Sequence, residues 1–192
     1  MSNHPGPQES SGGAPPALPP RVLVAGVGNI FLRDDGFGPE VARRLAADPS
    51  SQRPGIRVTD YGIRGMHLAY DLLDGVAVLV LVDAVPPSDS GADSQPGSIR
   101  VLGIGADDVH GSLGRTEAAG ALDPHGMDPV VVLGRLQALG GELPLTYLVG
   151  CVAADTEEGI GLSAAVEAAV PAAMAEVLAL VNEHIPAAYE RC

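Results

Sequence analysis

The sequence predicts an α/β fold: a single three-layer domain with helices on both faces of a twisted, mostly parallel five-stranded sheet, one edge strand running antiparallel. Three observations lead there. Strand-like and helix-like segments alternate along the chain, which favours right-handed crossovers between parallel strands. The chain is 46% hydrophobic but only 3% aromatic, with no Trp. Its core must therefore be built from Val, Leu, Ile and Ala, as in parallel strands buried on both faces. Finally, 192 residues suit one domain with a substantial core.

Residues 1–20 are rich in Gly, Pro and Ser and cannot bury enough surface to fold, so they read as a disordered tail. The domain is expected over 21–185, with 186–192 as a short C-terminal tail. Residues 21–28 (Arg-Val-Leu-Val-Ala-Gly-Val-Gly) form an aliphatic run ending in glycines, as a buried first strand entering a loop does. A helix then opens near Gly38-Pro39, where the missing proline N–H costs nothing. Residues 56–60 read as a second strand. Residues 66–73 read as a helix with Met66, Ala69, Tyr70 and Leu73 on one face. The run 76–84 is the clearest buried strand. A polar loop follows over 86–97, an edge strand over 98–102 and a mostly irregular stretch over 103–124. Pro129 opens a helix through 139, and 145–152 is the last strand. Ser163 is placed as N-cap of an Ala-rich helix to about 183, with Pro171 predicting a kink or break.

A formal net charge of −13 argues against nucleic acid and against an anionic membrane surface as partners. Cys151 and Cys192 are the only cysteines, without a Cys-x-x-Cys pair, so neither a zinc knuckle nor a disulfide framework is expected. The N-terminus lacks a signal-peptide core, and the apolar runs read as too short or interrupted to span a bilayer. A cytoplasmic protein is the simplest expectation.

Open parallel sheets bind ligands beyond the carboxyl ends of their strands, at a switch in strand order. Four polar segments should open there: 28–36 after the first strand, 60–65 after the second, Asp83 ending the third, and 123–128 before the Pro129 helix. Asp83 is the one charge in an apolar strand, and an unpaired buried carboxylate costs several kcal/mol. It should sit at the strand's exposed end with a partner or a metal, or cap the next turn. Asp34 and Asp35 precede a helix and could cap it or complement its dipole. His125, in a loop between Pro and Gly, is free to coordinate or simply to be solvated. Two carboxylates and an imidazole make an incomplete shell that nickel, zinc, cobalt or cadmium would accept. Separations of 48 (Asp35 to Asp83) and 42 (Asp83 to His125) residues are too long for a local metal motif.

The combination of motifs is more specific. Gly26-x-Gly28-Asn29-(x)4-Asp34-Asp35-Gly36-x-Gly38, then Asp60-x-Gly62-x-x-Gly65, then Leu81-Val82-Asp83-Ala84 resembles the hydrogenase maturation endopeptidases. His125, Val149-Gly150 and Gly161-Leu162-Ser163 continue the pattern in order, so that the resemblance spans about 21–180. It implies an aspartic-type endopeptidase that removes the C-terminal extension of a nickel–iron hydrogenase large-subunit precursor after nickel insertion. It further implies that Asp35, Asp83 and His125 contact nickel carried by the substrate, with Asp34 an adjacent rival to Asp35. Asp35, Asp83 and Asp60 then serve cleavage, while Asn29, Gly62 and Gly65 face the substrate. A monomer is expected. The chain departs from relatives after Gly150, where Cys151-Val152-Ala153-Ala154-Asp155 replaces a segment that often carries Pro soon after its Gly.

No His-Glu-x-x-His or Gly-x-Ser-x-Gly motif is present, and a thiol nucleophile is not expected. The metal could polarise the scissile carbonyl or activate water, with a carboxylate as base. Two other readings remain, the first on the same three residues and the second on Gly26-x-Gly28 and Asp60. One is a non-catalytic nickel checkpoint or chaperone for hydrogenase assembly. The other is a dinucleotide-binding domain, disfavoured because Phe31 stands where the third glycine belongs and no helix N-terminus follows directly.

Overall fold

The computed structural model describes residues 21–87, 95–109 and 128–185. The two expected tails, most of the 103–124 stretch and His125 lie outside them. Among the described residues the named strands and helices follow in the order β1 (Val22–Val27), α1 (Phe37–Ala47), β2 (Ile56–Gly62), α2 (Gly65–Leu72), β3 (Val78–Val85), β4 (Ile99–Ile104), α3 (Pro129–Ala138), β5 (Leu145–Val152) and α4 (Ala164–His184). They form one sheet in the order β2-β1-β3-β5-β4. β1 pairs parallel with both β2 and β3, and β3 pairs parallel with β5. The edge strand β4 runs antiparallel to β5.

The two-residue period of a strand divides the core into two layers. Val22 and Val24 of β1 and Val78, Val80 and Val82 of β3 face one way, onto Phe37, Val41 and Leu45 of α1 and the buried stripe of α4. Leu23, Ala25, Leu79 and Leu81 face the other way, onto Leu68 and Leu72 of α2 and Leu133 and Leu136 of α3. Both sides of the central strands are thus buried, which explains why they read as continuous aliphatic runs.

Five local expectations need correction. In α2 the buried residues are Gly65, Leu68, Ala69 and Leu72. The expected stripe is therefore one position out of phase, and Met66, Tyr70 and Leu73 are 37%, 53% and 42% exposed. Both stripes are apolar at helical spacing, so periodicity alone could not choose between them. In α4, Ser163 is the N-cap residue but makes no side-chain cap, because its hydroxyl donates to Asp34 instead. Pro171 does not break α4, which is assigned continuously around it. A proline in this position removes one hydrogen bond, and helix packing against the sheet outweighs that loss. Further, α4 is by length and composition apolar enough to cross a membrane. Its stripe Val166, Ala169, Val170, Ala173, Val177 and Val181 is buried in the core, which accounts for that apolarity. The 103–109 stretch is also more regular than expected. β4 runs to Ile104 and 106–109 are helical.

At the start of α3, Asp128 Oδ1 accepts the Val130 N–H at 2.8 Å, with Pro129 in the first helical position. Both are start signals that a sequence can carry.

Candidate functional site

β1 lies between β2 and β3, so the chain leaves its neighbouring strand ends in opposite directions and opens a crevice at the carboxyl ends of β1 and β3. Three of the four segments expected at this edge are described there, namely 28–36, 60–65 and Asp83. Of the fourth only Asp128 is described.

The loop after β1 folds back on its own start. Gly28 has φ +129, and a Cβ there would stand 1.9 Å from the Asp35 carbonyl oxygen, so no side chain fits. The Asn29 N–H donates to Asp35 Oδ2 at 2.7 Å, and Asn29 Oδ1 accepts the Phe31 N–H at 3.0 Å. A 3-10 turn, Arg33–Gly36, then leads directly into α1. Neither Asp34 nor Asp35 caps α1, whose cap position is Gly36 without a side-chain bond.

The two adjacent aspartates have different environments. Asp34 is completely buried. Its Oδ2 accepts from Ala154 N–H at 2.8 Å, Asp155 N–H at 3.0 Å and the Ser163 hydroxyl at 2.9 Å, and its Oδ1 from Ser163 N–H at 2.6 Å. Burial alone would raise its pKa, but these donors outweigh burial and hold the carboxyl below its ordinary value of 3.8. Asp34 is therefore a strut between the loop after β1 and the loop after β5. Its neighbours reinforce the joint: Arg33 N–H donates to Gly159 O at 3.1 Å, Asp34 N–H to Asp155 O at 3.1 Å, and Gly159 N–H to Phe31 O at 2.9 Å. Sequence reasoning missed this role, because the strut reaches across 129 residues to Ser163.

Asp35, in contrast, is half-buried and lines a cleft of about 440 Å³ with Leu32, Ala84, Pro86, Ala154 and Thr156. Asp83 is half-buried in the last turn of the β3 pleat, in register with Gly150 of β5. By strand alternation it follows Leu79 and Leu81 onto the face covered by α2 and α3. Asp60 is exposed and belongs to a second groove of about 530 Å³, lined also by Ile30, Gly36, Pro39, Ile160 and Leu162. Its Oδ1 accepts the Gly62 N–H at 2.8 Å, a side-chain turn that holds Gly62 at φ +53. The Gly62 carbonyl accepts the Gly28 N–H at 3.1 Å, tying the loops after β1 and β2 together. Gly65 is buried as the first residue of α2. Among the described residues no three His, Cys, Asp or Glu side chains gather to hold a metal. His125, the third expected ligand, lies outside them.

Cys151 is fully buried in the core of β5. Burial, helped by the nearby Asp34 charge, pushes its pKa up to about 11, which leaves a protonated, inert thiol. In the native protein at pH 8, Cys151 should react with iodoacetamide at least about 100-fold more slowly than after unfolding, as read by peptide mapping.

Comparison with known proteins gives a consistent answer. The family model described as HycI, hydrogenase maturation protease, matches residues 39–180. The hydrogenase 2 maturation protease of Escherichia coli is 30% identical over 172 residues, covering 85% of this chain and 92% of the relative. The hydrogenase expression/formation protein HupD of Rhodobacter capsulatus is 30% identical over 166 residues, covering 85% and 72%. In structure, the hydrogenase maturating endopeptidase HybD from E. coli superposes with a TM-score of 0.66 at 29% identity, covering 85% of this chain and 93% of that one. A match across most of the chain, on the same five-stranded mixed sheet, places this chain in the hydrogenase maturation protease family of peptidases.

Proposed function

We propose that the protein is an endopeptidase that removes the C-terminal extension of a nickel–iron hydrogenase large subunit after nickel insertion, recognising the nickel that the substrate carries through Asp35, Asp83 and His125. The observation that carries this reading is the delivery of Asp35 and Asp83 to the ends of the adjacent strands β1 and β3, at the switch in strand order. Asp35 is anchored there through one oxygen by the Asn29 N–H, which orients the carboxylate without enclosing it. Converging on a substrate, two such carboxylates would offer an open, oxygen-donating half-shell to a borderline divalent ion already bound elsewhere. His125 precedes α3 in sequence, and α3 packs on the face to which Asp83 points.

Docking the substrate's nickel would place the extension along the loop 28–36, which lines both grooves. Nickel then orients the scissile bond and polarises its carbonyl or a water, with a carboxylate as base. Asp60, exposed in the second groove, is assigned to this step. The protein acts in the cytoplasm as a monomer, and nickel arrives with the substrate rather than as its own cofactor.

The test is to incubate purified protein with nickel-loaded and nickel-free precursor and to measure the released C-terminal peptide by mass spectrometry. Release from loaded precursor alone is expected. Equal rates from both would overturn nickel recognition, and tight binding without release would leave a non-catalytic checkpoint. Asp35→Asn and Asp83→Asn should each lower kcat/KM by at least about 100-fold, since even outer groups of a metal site are worth 10- to 100-fold.

A further inference from the structure

We propose that Asp34 is a positioning residue for the reaction, holding the neighbouring Asp35 carboxylate toward the cleft by clamping together two of the segments that line it. This rests on the assignment of Asp35 made above. One is the loop after β1, with Leu32 and Asp35, and the other is the loop after β5, with residues 153–156; the end of β3 and residues 86–87 line the remaining side. Asp34 joins them, because its donors Ala154, Asp155 and Ser163 all belong to the segment after β5. Leu32 and Gly159 form an isolated parallel bridge beside it.

The local backbone converts this clamp into a direction for Asp35. Both aspartates lie in the 3-10 turn Arg33–Gly36, where successive side chains are about 120° apart. Once Asp34 is fixed inward by four hydrogen bonds, Asp35 cannot share that direction and projects into the cleft, where Asn29 N–H meets its Oδ2. The turn is entered through Arg33 at φ 46, a conformation unfavourable for a residue with a side chain. That strain is held by Arg33 N–H on Gly159 O and by the Arg33 Nε–Asp155 Oδ2 ion pair at 3.2 Å. Breaking the clamp releases the strain, and Asp35 loses its fixed direction with it.

The experiment compares Asp34→Asn and the milder Ser163→Ala with Val177→Ala, a core variant in α4 that lowers stability without touching either loop. Two readouts are taken at a temperature where all three are folded. The first is amide hydrogen exchange at Asn29, whose N–H reports the Asp35 hydrogen bond without any substrate. The second is kcat/KM on nickel-loaded precursor. Exchange at Asn29 should rise at least about tenfold in Asp34→Asn, and measurably in Ser163→Ala, but not in Val177→Ala. Cleavage should fall about tenfold or more in the same order, as misplacement by an ångström does. Asn29 exchange no faster than in Val177→Ala overturns the proposal, as does cleavage unchanged from wild type. If Asp34→Asn fails to fold, Ser163→Ala decides the question. Failure of the wild-type protein to cleave loaded precursor would instead sink the functional reading, with the Asn29 measurement still deciding the role of Asp34.

Discussion

Gly38→Ala is expected to destabilise the protein by about 3 kcal/mol or more. A Cβ at this position would stand 2.2 Å from both the Val27 and the Val82 carbonyl oxygens. These are backbone atoms of β1 and of β3, held by pairing to the neighbouring strands, and cannot swing aside as a flexible side chain would. The only relief is for the start of α1 to lift off the sheet, which would loosen Phe37, Val41 and Leu45, all completely buried. The matching contact lies on Gly26, where a Cβ would meet the Gly38 carbonyl at 2.3 Å. Gly26 and Gly38 thus let the helix lie on the strands, while Gly28 admits the loop that carries Asp35. Gly103→Ala is the control, since a Cβ there meets nothing within 4 Å; it should change stability by no more than about 0.5 kcal/mol. The measurement is the guanidinium midpoint for both variants. Equal midpoints would show that α1 does not sit on the strands as closely as described.

Asp34→Asn should cost about 3 kcal/mol at pH 7, because an amide NH2 in either oxygen's position meets a buried donor instead of accepting from it. The loss should also depend on pH. The folded carboxyl is held below its ordinary 3.8 by its four donors, so folding favours the ionised form. That stability is fully present above the unfolded-state value of about 3.9, and it is lost as pH falls through the lower folded value. Asparagine does not titrate. The gap between wild type and variant should therefore be constant from pH 7 to about 5 and should narrow below about pH 4. Urea midpoints at pH 7, 5 and 3 measure it. A constant gap at all three would mean that Asp34 does not hold its proton affinity down. Glu40, lowered by its hydrogen bond from Arg43 against the raising effect of burial, and further by Arg44, gives wild type and variant the same background slope.

The strands β1 and β3 were legible in the sequence because burial on both faces leaves almost only aliphatic residues, and glycine or aspartate marks where each run reaches the edge. The order of elements followed, and with it the edge at which polar residues collect. The phase of α2 was not legible, since Met66, Tyr70 and Leu73 are as apolar as the Leu68, Ala69 and Leu72 stripe that is actually buried. Nor was the cap of α4, because the Ser163 hydroxyl is drawn to a carboxylate 129 residues away.

The adjacent pair Asp34 and Asp35 shows where the division falls. By itself the sequence determined a doubly wound sheet, a polar edge beyond β1 and β3, and two neighbouring carboxylates within it. Only the tertiary structure decided how each carboxylate is surrounded. Asp34 is consumed by donors from the loop after β5, and Asp35 is left half-buried in the cleft. The physical reason is that chemical type and local spacing are properties of the chain, whereas a carboxylate's role depends on which donors and how much water surround it. Those surroundings are assembled from segments that meet only when the sheet forms.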